Sequence, residues 1–188
     1  MKSKEVIIEQ QKDFILKLKD KTCEFINSID KSEIETILLS GSLSRGDFFP
    51  RINEDGDIDG MVDLIVMRKK GSRIKAEDIF GPDQEPQIPF HCVKTNNLWF
   101  EISFTDFIDA AAFSEYDEPK KFSVLESKIL YDPNDSYKNE LEKIKQLAKE
   151  ELKTTFLMSC RWSVYQPGSL FPVFKAYFVP LLELFWLS

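Results

Sequence analysis

Ile34-Glu35-Thr36-Ile37-Leu38-Leu39-Ser40 runs directly into Gly41-Ser42-Leu43-Ser44-Arg45-Gly46-Asp47. The first half is short and rich in strand formers, and it stops at Gly41-Ser42, so the segment predicts a buried strand ending in a tight turn. The second half has the chemistry of an anion cradle. Glycine lets an anion approach backbone N–H groups, a following helical turn aims its N-terminus at the charge, and the Ser42 hydroxyl and Arg45 guanidinium add directed donors. Alone, Gly-Ser after a strand is more often only a turn.

It is not alone. Gly56-Asp57-Ile58-Asp59-Gly60-Met61-Val62-Asp63-Leu64-Ile65-Val66 follows, with carboxylates at odd-numbered positions. Alternate residues of an extended backbone share a face, so Asp57, Asp59 and Asp63 are expected to project to one side and converge on a divalent cation. Glu101 is a fourth acid, set inside the apolar run Leu98-Trp99-Phe100-Glu101-Ile102-Ser103-Phe104. An unpaired charge there would be expensive, and a metal would explain its presence. Asp55 to Gly60 also imitates the start of a calcium loop. Val66, however, stands where that loop needs a bidentate Glu, and no helix is evident before it. The plainest alternative is a solvated acidic loop.

Outward from this centre, residues 4–29 carry apolar positions at Ile7/Ile8, Phe14/Ile15, Leu18 and Phe25/Ile26, the spacing of an amphipathic helix. Met61 to Met67 reads as a second buried strand. Residues 71–88 have loop composition with one helical turn near Ala76 to Phe80. Phe90 to Lys94 and Leu98 to Phe104, joined by Thr95-Asn96-Asn97, read as a hairpin. Asp106 to Phe113 and Ser136 to about Tyr165 read as helices, the second closed by Pro167-Gly168. The order implies an α+β plan with a small mixed β-sheet flanked by helices. The expected division is a sheet domain over 1–133 and a C-terminal helical region over 134–188.

The 188 residues are 43% hydrophobic and 30% charged, which suits a folded domain and excludes disorder as the main state. A net charge of -7 disfavours a nucleic-acid partner. The three cysteines, Cys23, Cys92 and Cys160, are far apart and no basic-then-apolar leader opens the chain, both pointing to a reducing cytoplasm. No stretch is apolar for long enough to suggest a membrane span. Phe171 to Ser188 comes closest, but Lys175, Pro180 and Glu183 interrupt it and favour a buried, kinked helix. A chain ending on Leu-Phe-Trp-Leu-Ser suggests a docked tail or a sequence that continues, with a homo-oligomer or a helical partner protein as the candidate contacts. His91, the only histidine, sits among apolar neighbours and reads as a satisfied, partly buried side chain rather than a base. Cys92 reads as core, and Arg68, Lys69, Lys70, Arg73 and Lys75 as a solvated strand end.

Gly-Ser-x-x-Arg-Gly after a strand, Asp-x-Asp leading into a hydrophobic strand and a lone carboxylate on a later strand together resemble the nucleotidyltransferase superfamily of the DNA polymerase β type. The nearer likeness is to its small bacterial minimal and antibiotic-modifying members. The match covers residues 34–67, extends to about 104 and loosely includes the Leu130-Tyr131-Asp132-Pro133 turn. The resemblance implies that Gly41, Ser42 and Arg45 bind a nucleoside triphosphate. It also implies that Asp57, Asp59, Asp63 and Glu101 are the catalytic, Mg2+-binding acids. The implied reaction transfers a nucleoside monophosphate from an NTP such as ATP to a hydroxyl of a small molecule or protein.

This sequence departs from the pattern in one place. Fourteen residues separate Ser42 from Asp57, so Phe48 to Glu54 is expected to be an insertion, and Gly60 interrupts the run into the strand. Two registers stay open. In one, Asp57 and Asp59 are the metal pair and Asp63 is extra. In the other, Asp63 is the second member and Met61 occupies the first member's place, leaving a domain that binds nucleotide without turning it over. A catalytically silent nucleotide-binding or partner-binding domain, antitoxin-like, is therefore the alternative function.

Overall fold

β1 (Ile34–Leu39) ends where the glycine-serine pair begins, and α2 (Gly41–Arg45) follows at once. The computed structural model describes residues 4–46, 51–52, 58–95 and 98–165. Before β1 lies α1 (Lys4–Ser28). After α2 come β2 (Arg51–Ile52), β3 (Ile58–Arg68), α3 (Ala76–Phe80), β4 (His91–Thr95) and β5 (Leu98–Thr105). Then follow α4 (Ala110–Ser114), α5 (Glu118–Leu125), β6 (Lys128–Tyr131) and α6 (Ser136–Tyr165). The chain separates into two compact units, Met1–Ile144 and Lys145–Ser188, and the sheet belongs wholly to the first.

The strands lie in the order β4-β5-β3-β1-β6, with β2 laid against the start of β3. Every pairing is antiparallel except β3 with β5, which is parallel because the chain passes through α3 and β4 between them. The fold is therefore α+β, a small mixed sheet flanked by helices. On one face Ile37, Leu39, Val62, Leu64, Val66, Phe100 and Ile102 join Leu18, Phe25 and Ile26 of α1 in a single core. Phe25 stacks on Phe100 with ring centroids 4.0 Å apart, which seats α1 on the sheet. On the other face Leu38, Ile65 and Met67 are buried, while Asp63 and Glu101 on the same row pattern remain only half-covered. Among the described residues no helix is long and apolar enough to cross a membrane.

Three expectations need correction. The second strand begins at Ile58, not Met61, because the supposed insertion supplies β2, whose Arg51 and Ile52 pair with Asp59 and Ile58 and extend β3 backward. The same extension runs the acidic segment into a strand rather than the exit helix of a calcium loop. Residues 106–109 are not helical, since Asp109 caps α4 by accepting from the Ala112 N–H at 2.8 Å and the helix starts after it. A separate helix, α5, follows, capped in the same way by Asp117. Leu130-Tyr131 belongs to a sheet strand, β6, rather than a turn, because Tyr131 and Ile129 pair with β1. Asp132 then accepts from Ser136 Oγ, Tyr137 N and Lys138 N and starts α6. The Pro167-Gly168 stop and the Phe171 to Ser188 tail lie outside the described residues.

Candidate functional site

The site is built around the end of β1. Ser40 N–H donates to the Asp63 carbonyl at 2.8 Å, which ties the turn to the middle of β3. Gly41 takes φ +65°, and a methyl group there would stand 1.8 Å from Asp63 Oδ2. The Asp63 carboxyl therefore rests directly against the Gly41 backbone, and only glycine leaves room for it. Leu43 and Ser44 of α2 are buried, and Ser44 Oγ donates to the Gly41 carbonyl at 2.7 Å. Gly46, at φ +85°, stops the helix by donating to the Ser42 carbonyl at 3.0 Å. Ser42 is left half-buried beside Gly41.

Asp63 pairs in register with Glu101 across the parallel β3–β5 ladder, and their carboxyls share a hydrogen bond. Burial pushes Asp63 above the usual carboxylate range, while the bond from Glu101 and the charge of Arg45 pull it partly back. Glu101 is raised by burial, by the negative charge of Asp63 and by the shared bond, all in one direction. Both carboxyls are thus raised, with burial the leading cause for each. Cys92 of β4 lies opposite Glu101 in the next ladder. Its thiol, 1% exposed, is pushed up to about 11, first by burial and then by Glu101, Asp83 and Glu85.

Arg45 Nη1 meets Glu126 Oε2 at 3.0 Å, at the end of α5, and α5 also accepts from Ser40 Oγ through the Ser123 carbonyl at 3.3 Å. Both contacts fix α5 against the turn. Of the seven site residues expected from the sequence, Gly41, Ser42, Arg45, Asp63 and Glu101 are thus gathered at one end of β1. Asp59 is placed through its backbone only, as the partner of Arg51 four residues before Asp63. Asp57 lies outside the described residues.

His91 faces away from this group. It pairs with Ile102 on the core side of the sheet, its ring centroid 6.0 Å from that of Phe80. Its Nε2 is buried with no hydrogen-bond partner among the described residues, so it is not the satisfied side chain expected. Reading the sequence also missed Glu126 and the neighbours of Glu101. Nothing local links Glu126 to Arg45, 81 residues away. Trp99 was within reach, since it lies two residues before Glu101 on a predicted strand and so shares its face.

Chemically, two hard, partly buried oxygen donors side by side suit a divalent cation such as Mg2+, whose charge would favour their ionised forms. Among the described residues no three of His, Cys, Asp and Glu converge tightly enough to hold a metal by themselves. Any such ion would take its remaining ligands from elsewhere, as Mg2+ commonly does from substrate phosphates and water. No family model and no curated protein matches the sequence.

Proposed function

We propose that this chain is a nucleotidyltransferase of the polymerase β type, binding a nucleoside triphosphate with Mg2+ and transferring its nucleoside monophosphate to a hydroxyl of a small molecule or protein. The observation that carries the reading is the convergence of a glycine-serine turn and a carboxyl pair, with Asp63 pressed against Gly41 and bonded to Glu101. Gly41, Ser42 and Arg45 would hold phosphate oxygens. Asp63 and Glu101 would hold the cation. When bound, Mg2+ supplies Lewis-acid stabilisation of the charge on the transferring phosphoryl group. In the reaction the acceptor oxygen bonds to the α-phosphorus, the bond to pyrophosphate breaks, and the hydroxyl proton passes to the carboxylates.

A second reading is favoured by one feature. Met61, 45% exposed, lies two residues before Asp63 on the same face, where the second register would need a carboxylate. In that reading the domain binds nucleotide or a partner and does not turn over. Calorimetric titration with Mg-ATP and Mg-GTP, followed by pyrophosphate release with candidate acceptors, tests both. Binding lost in Asp63→Ala and kept in Asp59→Ala selects the register built on Asp63. Absence of binding by either nucleotide overturns the nucleotide reading.

A further inference from the structure

We infer that Met61, Trp99 and Lys94 form the subsite for the base of the nucleotide, an assignment that rests on the function proposed above. The three residues are register partners across adjacent strands, Met61 opposite Trp99 and Trp99 opposite Lys94. They make the row next to Asp63, Glu101 and Cys92, one step nearer the start of β3 and β5. Residues two apart on a strand are about 7 Å apart. That is close to the separation between the phosphate end of a nucleotide and its base.

The exposure of this row is selective. Val62, Leu98 and Phe100, the intervening residues of the same strands, are fully buried on the opposite face, while Met61 is open and Trp99 half-open. An exposed thioether beside an indole is an apolar, polarisable surface suited to a planar ring. The Lys94 ammonium stands 5.5 Å from the Trp99 ring centroid, and among the described residues no carboxylate pairs with it. That charge selects the occupant. It repels a cationic acceptor and favours a neutral planar ring bearing hydrogen-bond acceptors and attached to an anion, which is what a nucleotide presents. Stacking on an aromatic platform tolerates any base, so the row supplies affinity without choosing among bases.

Titrations with Mg-ATP and with magnesium tripolyphosphate, which has the phosphates without the base, separate the two halves of the site. Trp99→Ala and Met61→Ala are expected to weaken Mg-ATP on the order of 5- to 100-fold and to leave tripolyphosphate affinity unchanged. Trp99→Phe should retain most of the ATP affinity. Met61 and Lys94 are exposed, so Met61→Ala and Lys94→Gln keep the test valid if Trp99→Ala does not fold. Lys94→Gln should weaken Mg-ATP as well. Variants that leave ATP binding unchanged, or weaken both ligands equally, overturn the inference while the nucleotide reading stands. A wild-type protein that binds neither ligand overturns both.

Discussion

Asp63 and Glu101 sit side by side on parallel strands with their carboxyls in hydrogen-bond contact, and both are raised above their ordinary values, burial being the leading cause for each. The folded chain therefore binds more protons here than the unfolded chain does. The pair's stabilising contribution is complete below the unfolded values, about 3.9 for Asp and about 4.3 for Glu, and is lost as pH rises through the raised folded values. Glu101→Gln keeps an N–H donor toward Asp63 and carries no charge. Its melting temperature should match wild type near pH 4 and exceed it increasingly toward about pH 8. A difference that stays flat with pH would show that folding does not raise the two carboxyls.

Gly41 and Asp63 are coupled by contact. Gly41→Ala places a side chain at φ +65°, which costs about 1–2 kcal/mol for an L-residue, and drives its Cβ into the Asp63 carboxyl. Asp63→Ala removes the colliding atoms but not the backbone cost. The double variant should be less destabilised than the sum of the singles, with a coupling of about 0.5–3 kcal/mol by denaturant unfolding. Strict additivity would mean that the carboxyl does not rest against the turn.

How much of this arrangement was legible follows from how local each signal is. The strand-glycine-serine-helix turn was readable because its cause is local: strand formers, then a residue free to take positive φ. The hairpin of β4 and β5 was readable from two apolar runs around Asn96-Asn97, and Glu101 stood out as a charge in an apolar strand. The start of β3 was not readable. Gly60 suggested a break, and only the pairing of Arg51 and Ile52 makes Ile58 and Asp59 strand. β6 was hidden because Lys128 to Tyr131 is too short for periodicity, and its state is set by the open edge of β1. The partnership of Arg45 with Glu126 depends on tertiary placement of α5 and leaves no trace in either neighbourhood.

The contact that seats α1 is the stack of Phe25 on Phe100, with rings 4.0 Å apart and 16° from parallel. Both side chains are buried. Phe100→Ala should cost about 3–5 kcal/mol in urea unfolding, and Phe25→Ala a comparable amount. Together they should fall short of additivity, since the pair interaction, about 0.5–1.5 kcal/mol, is lost with either. Leu16→Ala, at a site 59% exposed on the same helix, should change stability by less than about 0.5 kcal/mol. A large Leu16 effect with a small Phe100 effect would mean that α1 packs through a different face.

Cys92 and Cys23 should differ sharply toward alkylating reagents. The nucleophile is the thiolate, and Cys92 is both 1% exposed and raised to about 11 by burial and by the acids around it, Glu101 first. Cys23 lies exposed on α1. Iodoacetamide at about pH 8 should therefore label the Cys23 peptide in the native protein and the Cys92 peptide only after denaturation, as read by peptide mass spectrometry. Cys92 N–H donates to Asp83 Oδ1 at 3.0 Å, and the Cys92 carbonyl accepts from Gln84 N–H at 2.9 Å, so the loop before β4 covers the strand edge where the thiol sits. Asp83→Ala removes one of those two ties. It should speed native labelling of Cys92 without changing that of Cys23. Equal labelling of both cysteines in the folded wild type would instead place β4 in the solvent, and with it the outer wall of the carboxyl pair.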